Sequence, residues 1–225
     1  MNLRCYGWRV ARRVAAVAFV VAFAIAGTAL ASTSGPPQKK HTAAGMAKAR
    51  SVVLRRSDFG AGWLAKPSSS SPSGTPHCSG FDPDESDLVE IGSADSPSFQ
   101  MGVRFVSSSA GVYATAAQAQ TSWNRVLQPQ LPECLGSLVA KGATANGVPT
   151  RVTGYAKLAV PRLAPRTAGY RIHFSATTQG LTLTGSVDLI VLGKDRVDAV
   201  MISVSFGTPP TADELRLARR MASRL

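Results

Sequence analysis

Residues 98–134 set the architecture through their apolar spacing. In SFQMGVRFV, Phe99, Met101, Val103 and Phe105 are apolar, while Ser98, Gln100 and Arg104 are polar. A period of two predicts a strand with one buried face. A small-residue break follows at 107–111. TAAQAQTSWNRVL then carries Ala116, Ala119, Trp123 and Val126 along one side, the spacing of an amphipathic helix. LPECLGSLVA predicts a second helix, with Leu131, Cys134, Leu135 and Leu138 on its inner face. Pro132 and Glu133 suit that helix's first turn.

The same logic places the other elements. Thr42 caps a helix from 43 to about 56, with Met46, Ala49, Val52 and Val53 on its apolar side and Gly60 at its terminal turn. A short strand is expected near 88–94 and another at 155–160. GYRIHFSA alternates, with Tyr170, Ile172, Phe174 and Ala176 opposite Arg171, His173 and Ser175. LTLTGSVDLIV puts Leu181, Leu183, Val187, Leu189 and Val191 inward, and Thr182, Thr184, Ser186 and Asp188 outward. VDAVMISVSF aligns Val200, Ile202, Val204 and Phe206. The short turns at 177–180 and 193–196 make these last three strands antiparallel neighbours. In the closing helix, Leu217, Met221 and Leu225 form the apolar stripe, and Thr211 with Glu214 reads as a capping box. The expected fold is α+β, one domain over residues 42–225. A curved antiparallel sheet of about five to six strands is packed by an N-terminal helix, a central helix pair and a C-terminal helix. One face of that sheet is expected to be wetter than the other.

The N-terminus carries the expectation about compartment. MNLRCYGWRVARR holds four arginines and no acid, and residues 14–31 are apolar or small, ending Ala29-Leu30-Ala31. That is the layout of a secretory signal peptide over residues 1–31; an uncleaved membrane anchor over 14–31 is the alternative. Residues 32–41 read as a flexible tether and 66–76 as a low-complexity loop. Four of the 25 Lys and Arg fall in the leader, leaving 21 against 13 acids, about +8. This balance favours polyanionic surfaces such as anionic lipid, wall polymer or nucleic acid, but the basic residues are scattered, and a solvated basic surface is the plain reading. No arginine stripe alternates with aromatics, so nucleic acid is not an expected partner. Beyond the leader, Cys78 and Cys134 are an even pair for an oxidising compartment. Joined, they close a loop of about 57 residues, worth about 4 kcal/mol in the chain-entropy model; the alternative is two separate thiols.

Candidate chemistry is sparse. The acids between Asp82 and Asp95 lack the spacing of a calcium loop, and two cysteines alone make no zinc site, so no metal or cofactor is expected. The Asp-Phe-Gly triplet at 58–60 lacks every companion motif of a kinase. His41, His77 and His173 are the only histidines. His173 is a general-base candidate if adjacent strands bring Asp188 or Ser175 onto its face. No nucleophile elbow, zinc-protease motif or phosphate loop is present, so no catalytic residue is assigned. If the sheet leaves a concave face, Arg104, Arg171, His173 and Arg196 offer anion contacts there. Arg219, Arg220 and Arg224 read as a solvated helix face, with anion binding as the alternative. Two functions follow as expectations. One is a non-catalytic ligand-binding or sensor-like domain of the cell envelope, its small molecule unknown. The other is a structural or interaction protein that meets an envelope protein or polymer, touching membrane only through its N-terminal segment if uncleaved.

SFQMGVRFVSSSAGVYATAAQAQTSWNRVLQPQLPECL resembles a pattern of small exported actinobacterial proteins. These are similar to the extracellular sensor domain of mycobacterial receptor Ser/Thr kinases. The meander and closing helix over 170–225, and Asp58 to Trp63, which is similar to a D-x-x-x-G-W start, fit the same plan. A similar helix–sheet order occurs in photosystem-P-type α/β/α sandwiches. The resemblance covers roughly 43–225 and implies a ligand-binding cleft without known chemistry. It supplies no functional residues. The sensor domains carry two disulfides, whereas only one is possible here.

Overall fold

The computed structural model describes residues 35–67, 76–145 and 147–225. The leader or anchor expected over 1–31, the start of the tether and most of the low-complexity loop lie outside the described residues. In chain order the elements are β1 (Gln38–Lys39), α1 (Ala43–Val52), β2 (Leu64–Lys66), β3 (Val89–Asp95), β4 (Ser98–Met101) and β5 (Arg104–Tyr113). They continue with α2 (Ala116–Val126), α3 (Leu131–Ala145), β6 (Thr150–Lys157), β7 (Arg166–Thr178), β8 (Leu181–Lys194), β9 (Val197–Phe206) and α4 (Thr211–Ala222).

The fold is α+β, as the spacing predicts, with a larger sheet than expected. Nine strands form one open sheet in the order β1-β3-β5-β9-β8-β7-β6, and β4 joins β5 to β2. The sheet is mixed, because β1 runs parallel to β3, with Gln38 beside Val89. Part of the expected tether is therefore a sheet edge. The single strand expected from SFQMGVRFV is a hairpin. Gly102 turns the chain with a φ of 60°, a conformation open to glycine, and Arg104 pairs back with Met101. The small residues at 107–111 are no break; they lie inside β5, the strand beside β9. Ser108 accepts the Leu54 N–H at 2.8 Å. α1 is also shorter than expected. It stops at Val52, and a 3₁₀ turn, Arg56–Asp58, precedes Gly60.

Both faces of the sheet are covered, not one. Ala49 and Val52 of α1 and Leu217, Ala218 and Met221 of α4 pack on Val106, Ile190, Leu192 and Met201. On the other face, Val139 and Ala143 of α3 pack with Phe105, Phe174, Val187 and Val204. Leu131 and Cys134 meet Leu189 and Val191 there. Strand β8 explains the misreading. Alternation over 181–189 gives way to an apolar run, Leu189 to Leu192, which is what a strand covered on both sides requires. α1 lies on β3 almost backbone to backbone. A Cβ on Gly45 would stand 2.1 Å from the Ile91 carbonyl oxygen, and one on Gly92 2.1 Å from the Gly45 carbonyl carbon.

Candidate functional site

A polar band crosses the middle of the α1–α4 face. Its register follows from the meander: Arg171 of β7 pairs with Asp188 of β8, and Asp188 with Ser203 of β9. One step along the strands, His173 pairs with Ser186 and Ser186 with Ser205. Side chains two apart share a face, so both rows point the same way as buried Ile190 and Met201. Arg104 starts β5 on this face as well. The first turn of α4 roofs the band. Arg171 donates to both Asp188 oxygens, 2.6 Å from Nε to Oδ1, and from Nη2 to Thr211 Oγ1 at 3.1 Å. Arg104 donates to Asp213 Oδ2 at 2.9 Å and lies over the Trp63 ring at 5.4 Å.

Glu214 is the anomaly. It is 1% exposed, Asp188 is 0% exposed, and neither Glu214 carboxyl oxygen has a hydrogen-bond partner among the described residues. Arg171 Nη2 stands 3.8 Å from Glu214 Oε2, but its donors are committed to Asp188 and Thr211. Burial pushes the Glu214 carboxyl up to about 7; Asp188 adds to the rise, while Ser203 and Arg171 oppose it. One guanidinium thus serves two buried carboxyls.

The structure brings together three of the four residues expected to form a ligand face. Arg104, Arg171 and His173 share the band. Arg196 does not join them. It sits in the β8–β9 turn, where its carbonyl accepts the Tyr113 N–H at 2.8 Å. Arg104 and Arg171 spend their charge on Asp213 and Asp188, and the face is roofed. His173 is exposed, and Asp188 pairs with Arg171 instead of with it. Thr211 and Glu214 do not form the expected capping box. Pro210 is the N-cap, without a side-chain bond, and both residues turn inward to the band. The S/T-x-x-E pattern was a real signal, but of residues facing charge across the sheet.

The outer surface of the α1–α4 layer is basic. Arg50, Arg219 and Arg220 are exposed, and they and Arg56 make no ion pair among the described residues. The layer's acids are spent internally: Asp58 on Arg224, Asp188 on Arg171, Asp213 on Arg104. The α2–α3 layer covers the opposite face of the sheet. Cys78 and Cys134 are joined there, with Cα atoms 5.5 Å apart. His77 contacts Asp82 nearby, and Arg125 pairs with Asp87. Beneath α2, Ser122 donates to buried Glu85 at 2.5 Å, and Arg166 donates to Asp198 at 2.8 Å. Burial raises the Asp198 carboxyl to about 6 against the pull of Arg166. Gly193 makes room for that pair, since a Cβ there would stand 2.5 Å from both Arg166 Nε and Asp198 Oδ1.

Among the described residues, no group of three or more His, Cys, Asp or Glu is placed to hold a metal ion, and no helix is long and apolar enough to cross a membrane. Comparisons with protein families, curated proteins and solved structures found no match to the chain.

Proposed function

We propose that the protein is an exported, non-catalytic envelope domain that works through its surface, docking on anionic lipid with the outer face of its α1–α4 layer. The observation that carries this reading is the group of exposed arginines on that face that make no ion pair among the described residues. Arginines without ion pairs lie on α1, the following turn and α4, while the acids of that layer are neutralised or buried. Guanidinium groups suit phosphate, which they can chelate with two donors. The basic leader with its apolar run and the Cys78–Cys134 pair support export. The test is co-sedimentation with vesicles of phosphatidylcholine, with and without about a third phosphatidylglycerol. Binding is expected only to the anionic vesicles and is expected to fade as salt shortens the Debye length below about 8 Å. A triple change, Arg50→Glu, Arg219→Glu and Arg220→Glu, should abolish it, while Lys141→Glu in α3 should not. Binding that ignores lipid charge, or survives the triple change, would refute the reading.

A second reading is a sensor-like domain with a small-molecule ligand. The polar band favours it, because a buried carboxyl without a hydrogen-bond partner is a rare feature in a folded chain. A ligand-induced rise in melting temperature that Arg171→Ala removes would support this reading over the first.

A further inference from the structure

The roof over the polar band is fastened unevenly. At its far end α4 is pinned: Arg224 donates to both Asp58 oxygens, and Lys48 Nζ donates to the Arg224 and Leu225 carbonyls at 2.8 and 3.3 Å. Leu217, Ala218 and Met221 are buried against the sheet. At the near end the helix follows Gly207, at a φ of 79°, and two prolines, and has no side-chain cap. What holds its first turn down is Thr211 on Arg171, Asp213 on Arg104 and the buried Glu214.

The charges facing Glu214 do not favour an ionised carboxylate. From β7 comes Arg171, from β8 Asp188 and from β9 the neutral Ser203. Beside it, Asp213 is already matched to Arg104 of β5, with Arg216 3.9 Å from its other oxygen. Arg171 and Asp188 are forked together, so their opposite charges largely cancel at Glu214. The helix dipole favours an anion in the first turn. Taking an unpaired carboxylate out of water costs more than that dipole returns. Desolvation therefore wins, and the group sits in place as the neutral acid.

We infer that the first turn of α4 is a proton-held cover over the polar band: it seats while Glu214 carries its proton and lifts when Glu214 ionises, baring Arg104, Arg171, Ser186 and Ser205. The hinge is the 207–210 segment, and the Asp58–Arg224 pair keeps the rest of the helix attached. This stands apart from the docking face, which uses the opposite, outward side of α4.

The test is amide hydrogen exchange of the folded chain at pH 5.5 and 8.5, expressed as protection factors so that the intrinsic pH dependence of exchange is removed. A carboxyl at about 7 when covered and at its ordinary 4.5 when exposed makes opening up to about thirtyfold more favourable at the higher pH. Protection over residues 213–218 should fall by that order, while α1, read in the same sample, stays level. Glu214→Gln keeps the shape without the charge and should abolish the fall. Asp188→Asn leaves Arg171 free for Glu214 and should shrink it. Protection over 213–218 that is level in the unsubstituted protein, or that falls equally in Glu214→Gln, would overturn the inference. Because the unsubstituted protein alone can give the contrary result, the test does not depend on either variant folding.

Discussion

The two ends of α4 each meet a buried carboxyl, and the outcomes are opposite. At the C-terminal end, burial would raise Asp58. The Arg224 fork, the Arg55 N–H at 2.8 Å and the charge of both arginines outweigh it, so Asp58 lies below its ordinary value. At the N-terminal end, Glu214 is buried more deeply, 1% exposed against 7% for Asp58, and has been pushed up to about 7. Burial is common to both; the number of donors is not. One guanidinium serves one carboxyl at Asp58, whereas Arg171 is shared by two. A helix can thus be fixed firmly at one end and conditionally at the other by the same residue types.

The largest expected effect comes from outside this pair and isolates it. Replacing Cys78 and Cys134 by serine should cost about 4 kcal/mol in urea unfolding. It should leave the Glu214 share of the pH dependence unchanged, because the disulfide anchors the other face. Arg224→Ala should cost about 3 kcal/mol by leaving Asp58 buried and unpaired, near the low end for a broken buried pair because Arg224 is 22% exposed. The melting temperature should fall accordingly. If the loss is under about 1 kcal/mol, the firm end is not firm.

The pH profile comes next. Glu214 and Asp198 hold protons more tightly folded than unfolded. Each therefore stabilises the fold below its ordinary value, 4.5 and 3.8, and that contribution is lost as pH rises towards about 7 and about 6. About 3 kcal/mol should be lost for each, placing maximum stability between roughly pH 4 and 5. Asp58 acts oppositely. Its contribution is present above 3.8 and is lost as pH falls through its lowered value. Glu214→Gln should remove its own share of the decline and Arg224→Ala should not; equal slopes would dissolve the distinction between the ends. The smallest effect is Gly193→Ala. It should crowd the side-chain ends of Arg166 and Asp198 and cost about 1 kcal/mol, the low end for overpacking, without moving the Glu214 transition.

Much of the fold was legible in the sequence. Alternation located β7, β8 and β9, and the two-residue turn at Gln179 and Gly180, with φ values of 50° and 76°, fixed their order. Cys134 on the apolar face of α3 anticipated the disulfide now placed with Cys78. What escaped the reading was context. Gly102 inside an alternating stretch hid a hairpin, and small residues looked like a break because a central strand packed on both faces needs little volume. Asp188 and Ser186 alternate as though facing water, yet a helix far along the chain buries them. Arg104, Arg171 and His173 lie on one sheet face, but no local pattern indicated that Arg104 and Arg171 would be paired there with Asp213 and Asp188. Glu214 was legible only as a cap, because spacing carries no information about what lies across a sheet.

The uneven fastening of α4 is tested most directly by a carbon-13 NMR titration of the glutamate side-chain carboxyls in the folded protein, with Glu214 assigned by comparison with Glu214→Gln. The account predicts that the Glu214 resonance titrates with a midpoint near 7, well above its ordinary 4.5. A midpoint at or below 4.5 would show that the buried first turn of α4 accommodates the carboxylate, and would contradict both the conditional end of the helix and the cover built on it.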